Sequence, residues 1–96
     1  MSELPKLEES NTLYLVYLST GQYEDYNEKN IGVFNSQERA IDIVNQYNKY
    51  FEDNQVSPEN KKLADYNTRE ALGEIIGFFI DYTGVSARMK PVKLLK

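Results

Sequence analysis

The sequence predicts an α+β domain, a small antiparallel sheet packed against about two helices. Three observations carry this. Two runs of β-forming residues, Leu13–Leu18 and Ile31–Phe34, flank a polar stretch containing Gly21, Asn27 and Asn30. Two later segments, opening near Ser36 and near Asn67, repeat their apolar residues at helical spacing. The chain has 96 residues, the length of one domain. Residues 1–11 are polar and are expected to form a flexible leader. Residues 12–96 are expected to form the single domain.

The first element is Leu13-Tyr14-Leu15-Val16-Tyr17-Leu18, apolar on both faces and free of Gly and Pro. This predicts a central strand, ended by Thr20-Gly21. Residues 21–30 read as a polar connection. Ile31-Gly32-Val33-Phe34 reads as a second, short strand, paired antiparallel with the first across a long loop.

Asn35-Ser36-Gln37-Glu38 reads as a helix start, with Asn35 as cap and Glu38 reaching back. The helix is expected over 36–51, with Ala40, Ile43, Val44, Tyr47 and Phe51 on its buried face and Arg39, Asp42, Gln46 and Lys49 in water. Residues 52–67 are polar, and Ser57-Pro58-Glu59 offers a cap and first-turn proline. A second helix is expected from the Asn67 cap to Thr83-Gly84. In it Leu72, Ile75, Ile76 and Phe79 face the core, while Glu70, Glu74 and Asp81 face water. The competing reading of 75–82 is a strand, because Ile76, Phe78, Ile80 and Tyr82 alternate. Gly73 and Gly77 weaken a helix by about 1 kcal/mol each. Pro91 is expected to break the chain before an edge strand at Val92-Lys93-Leu94-Leu95. Ile43, Val44, Tyr47, Leu72, Ile76 and Phe79 form the expected core.

Composition excludes several chemistries. There is no Cys and no His. Disulfides, thiolate metal sites, Cys nucleophiles and Ser-His-Asp catalysis are therefore impossible. The absence of Cys suits a reducing compartment, and a cytoplasmic location is expected. No P-loop and no Gly-x-Gly-x-x-Gly is present, so no cofactor is expected and the chain is read as a non-enzyme. The N-terminus has no apolar h-region, and the longest apolar stretch, Ile75–Ile80, falls far short of the ~20 residues of a membrane span. No membrane partner is expected.

Charge is unevenly spread. The chain carries a net −4. Residues 1–87 hold seven Lys/Arg and fifteen Asp/Glu, a net −8, whereas 88–96 hold Arg88, Lys90, Lys93 and Lys96 without an acid, a net +4. An acidic body disfavours direct nucleic-acid binding, which needs Lys and Arg for phosphate contact. Eight Tyr and four Phe with no Trp supply rings for core edges and contact surfaces alike.

The sharpest local feature is Tyr23-Glu24-Asp25-Tyr26, two rings flanking two carboxylates in the polar connection. Rings supply rigid contact area and acids supply complementarity to a basic partner. Tyr23, Glu24, Asp25 and Tyr26 are accordingly the expected partner-binding residues. A metal reading of Glu24, Asp25, Asn27 and Glu28 fails on spacing, since a calcium loop needs acids at alternate positions about a central Gly.

Residues 13–47 also carry a longer pattern. A hydrophobic strand leads to Gly21-Gln22-Tyr23-Glu24-Asp25-Tyr26, then Ile31-Gly32-Val33-Phe34, then Asn35-Ser36-Gln37-Glu38-Arg39-Ala40. It resembles a group of small bacteriophage and prophage proteins with a strand–loop–strand–helix core. The resemblance implies no shared activity and no catalytic residue. It implies a phage source and, by analogy, a binding role, namely a phage-encoded modulator or inhibitor of a host protein; the chain's negative charge adds the expectation that the host partner offers a basic surface. The alternatives are a small-ligand or nucleotide-sequestering protein and a self-associating structural protein.

Overall fold

The structure, a computed structural model, describes residues 12–21 and 26–93. The expected leader and Leu94-Leu95 lie outside them. Among the described residues, β1 (Thr12–Thr20) is the middle strand of an antiparallel sheet, with β2 (Asn27–Phe34) on one side and β3 (Val85–Lys93) on the other. Helices α1 (Gln37–Asp53) and α2 (Tyr66–Ile76) lie between β2 and β3 in the chain. The α+β class is as the sequence predicts.

β1 is central, as its two-sided apolar sequence requires. Val16, Leu18 and Thr20 are buried and alternate with Leu15 and Tyr17, which are half-buried. β2 begins at Asn27, four residues before the apolar run that marked it. Its polar half pairs with Tyr17–Thr20 through the backbone, which places no demand on side-chain hydrophobicity at the side of a sheet. A bulge interrupts the ladder between Val16 and Tyr17, where Gly32 and Asn30 are the successive partners. The extra residue is Ile31, which packs against the core.

α1 matches its expected span within two residues. Its cap is Ser36 and not Asn35: the Ser36 hydroxyl accepts the Arg39 N–H at 3.2 Å. Ala40 and Phe51 are buried, while Val44 and Tyr47 are half-buried and packed against the core. α1 crosses all three strands. Asn48 has a specific role on this face. Its amide accepts the Ala87 N–H at 2.8 Å and donates to the Ala87 carbonyl at 3.1 Å. A weak helix former is thus held in α1 by a bond to β3.

Ser57-Pro58-Glu59 makes a turn and not a helix. Asn60 N–H bonds the Ser57 carbonyl, and the Ser57 hydroxyl accepts the Glu59 N–H. The segment is anchored to β3, because the Val85 N–H donates to the Val56 carbonyl at 2.8 Å.

α2 departs most from expectation. Asp65, not Asn67, caps it, accepting the Thr68 N–H at 2.9 Å. Hydrogen bonding with Thr68, side chain before backbone, holds the Asp65 carboxyl below its ordinary range. The helix ends at Ile76, because Gly77 takes a left-handed conformation (φ 69°) and the Phe78 N–H closes on the Gly73 carbonyl. Neither a helix nor a strand runs through 77–82. Consequently Phe78 and Ile80 are buried, whereas Phe79 and Ile75 are exposed and leave the expected core. Asp81, expected in water, is buried.

The core joins Leu18, Phe51, Val56, Leu72, Phe78, Ile80, Val85 and Ala87. β3 starts at Val85 and runs through Pro91, which the sequence had suggested would break the chain. β3 is an outer strand, where a residue without an N–H fits on the unpaired side.

Candidate functional site

Of the four expected contact residues, Tyr23, Glu24 and Asp25 lie outside the described residues. Tyr26 is exposed, just before β2. Its hydroxyl donates to Glu28 Oε2 at 2.6 Å. The bond to Glu28, then partial desolvation and the Glu28 charge, push the Tyr26 phenol above its ordinary pKa. The sequence reading did not pair these two residues; on a strand, i and i+2 share a face, which is the signal that finds them. A raised phenol pKa means that this pair's small stabilisation is present below the ordinary phenol value and is lost as pH rises through the raised one. Glu28→Gln should lower the Tyr26 phenol toward its ordinary value, read as a change in the spectroscopic titration of the phenols. An unchanged profile in that variant would show that the bond does not form.

A second surface was not read from the sequence. Ile75, Tyr82 and Phe79 are 75%, 68% and 60% exposed, more than any other large apolar or aromatic side chain described. All three fall within eight residues of chain. The local structure explains why. Gly77 stops α2, after which side chains alternate: Phe78 and Ile80 turn inward and Phe79 turns out. Tyr82 sits on a turn that is fixed on both sides. The Asp81 carboxylate accepts the Thr83 N–H at 3.1 Å and the Thr83 hydroxyl at 2.8 Å, and the Gly84 N–H bonds the Asp81 carbonyl at 2.9 Å. Beside Phe79 lies an open recess lined also by Arg69, Glu70, Gly73 and Glu74. Glu70 and Glu74 are exposed on α2, as the sequence predicts.

A third surface is the side of the sheet away from the helices. Paired residues share a face. The rows on this side are therefore Val92–Leu13, then Lys90–Leu15–Val33, then Arg88–Tyr17–Asn30, then Ser86–Ser19–Glu28. The sheet residues of the core cluster, Leu18, Val85 and Ala87, occupy the opposite side. Lys90 Nζ stands 5.1 Å from the Tyr17 ring centroid.

These surfaces offer ring and apolar contact area with charge at the margins. Among the described residues, no three Asp or Glu side chains gather as a metal ion requires, and no helix is long and apolar enough to cross a membrane. Compared with models of protein families, with curated proteins and with solved structures, the chain shows no match.

Proposed function

We propose that the chain is a non-enzymatic protein-binding module, a phage-encoded modulator or inhibitor of a host protein that acts in the host cytoplasm. The observation that supports this reading is the exposure of Ile75, Phe79 and Tyr82 within eight residues of chain, a ridge in sequence. Apolar side chains held out of a core on a fixed backbone turn are contact anchors in waiting. Glu70 and Glu74 border the same recess as Phe79, so the fitting partner has an apolar cleft with a basic rim. Tyr23, Glu24, Asp25 and Tyr26 supply a second contact with the same partner, the two acids adding charge complementary to a basic surface.

The experiment is capture of the partner from host lysate, followed by binding kinetics. Phe79→Ala and Tyr82→Ala are expected to speed dissociation by about 30-fold each, as hot-spot losses do. Both should leave the melting temperature nearly unchanged, since both side chains are mostly in solvent. Glu24→Ala with Asp25→Ala should slow association and flatten its salt dependence. If the ridge variants bind at the wild-type rates, the ridge is not the contact.

A further inference from the structure

We infer that the side of the sheet away from the helices, uncovered by any helix or strand among the described residues, pairs with the same side of a second copy of this chain, about a twofold axis running parallel to β1. This goes beyond the partner-binding ridge and uses different residues. The face has an apolar middle and oppositely charged sides. Leu13, Leu15 and Tyr17 occupy β1, flanked by Val33 and Val92, which are 55% and 38% exposed. β3 places Arg88 and Lys90 on one side, and β2 places Glu28 on the other. Arg88, Lys90 and Glu28 are all exposed.

Symmetry then selects the arrangement. Two sheets can pack face to face about a twofold axis along the strands or about one across them. An axis across the strands lays β3 on β3 and β2 on β2. About the centre of the face, Arg88 of each copy would then lie on Lys90 of the other, and the two Glu28 side chains would stand at opposite ends, away from any cation of the face. An axis along the strands lays β2 of each copy on β3 of the other. Glu28 sits in the row of Ser86, one row from Arg88, so a long arginine side chain reaches across to it. That orientation makes two identical acid–base contacts at the margins of one apolar stripe. The face is self-complementary in one orientation and self-repelling in the other.

The size sets the strength. By ordinary strand rise and spacing, the face measures roughly 30 × 14 Å, so two copies cover about 850 Å². That falls below the about 1,200–2,000 Å² of stable specific interfaces, and it predicts a weak dimer that forms only at high protein concentration, toward about 1 mM.

The test is sedimentation equilibrium of the full chain across a concentration series up to about 1 mM. The wild type should pass from monomer to dimer. Glu28→Lys and Arg88→Glu should each weaken association by at least about ten-fold, and the double exchange Glu28→Lys with Arg88→Glu should restore it. Circular dichroism melts confirm that each variant folds. Phe79→Ala should dimerise like the wild type, which separates this interface from the partner-binding ridge. A wild-type chain that stays monomeric throughout overturns the inference. So does a dimer indifferent to both single exchanges, or one that the double exchange fails to restore.

Discussion

Phe51→Ala is expected to lower folding stability by about 3–5 kcal/mol. Phe51 is fully buried and is the largest such side chain described. It stands near the C-terminal end of α1, its ring 6.0 Å from that of Tyr47 and 6.1 Å from that of Tyr50. It belongs to the same cluster as Leu18 of β1, Leu72 of α2 and Val85 of β3. Truncation therefore leaves a cavity where both helices and the sheet meet, and no one element can close it by a local shift. Urea melts read the loss as a lower midpoint at an unchanged slope. A loss below about 1 kcal/mol would contradict this packing.

Thr20→Val is expected to cost about 2–4 kcal/mol, although it preserves volume. The Thr20 hydroxyl is buried at the end of β1. It accepts the Asp81 N–H at 2.8 Å and donates to the Gly84 carbonyl at 2.7 Å. One oxygen thus satisfies both ends of the turn that leads into β3. A methyl in its place leaves a buried N–H and a buried carbonyl without partners, each costing about 1–3 kcal/mol. Thr20→Ser keeps the hydroxyl and removes one methyl, so it should cost about 1 kcal/mol. Denaturant melts of the two variants separate hydrogen bonding from packing. Equal losses would sink the hydroxyl's role.

The Thr20 contact shows why some of the fold was legible and some was not. β1 and α1 could be read because each carries its own signal: a two-sided apolar run, and apolar residues at helical spacing beside a hydroxyl cap. The cap was misplaced by one residue because Asn35 and Ser36 are both competent and only backbone geometry selects one. The stretch from Ile75 to Tyr82 was misread because its periodicity fits a helix and a strand. What decides is Gly77, whose left-handed turn ends α2, and Thr20, sixty-one residues from Asp81, which fixes the segment beyond. β3 was legible only at its far end. Ser86, Arg88 and Lys90 carry no apolar alternation outward, and Asn48 supplies part of the hydrogen bonding that places the strand. The ridge was hidden for the same reason: Phe79 differs from Phe78 in nothing but the direction that the turn gives it.

The bonds along the outer side of β3 also bear on how far this sheet can grow. A strand with free N–H and carbonyl groups is a template on which further chains add. On β3 the outward positions alternate, and Val85 is bonded to Val56, Ala87 to Asn48, and Pro91 has no N–H to give. Met89 is flanked on both sides by positions that an incoming strand cannot use. Among the described residues, β2 is the side left for strand addition. Fibre growth through strand pairing needs two receptive sides, so that each added molecule presents a fresh one. A sheet with one receptive side can join a single neighbour through it, and there the polymer ends.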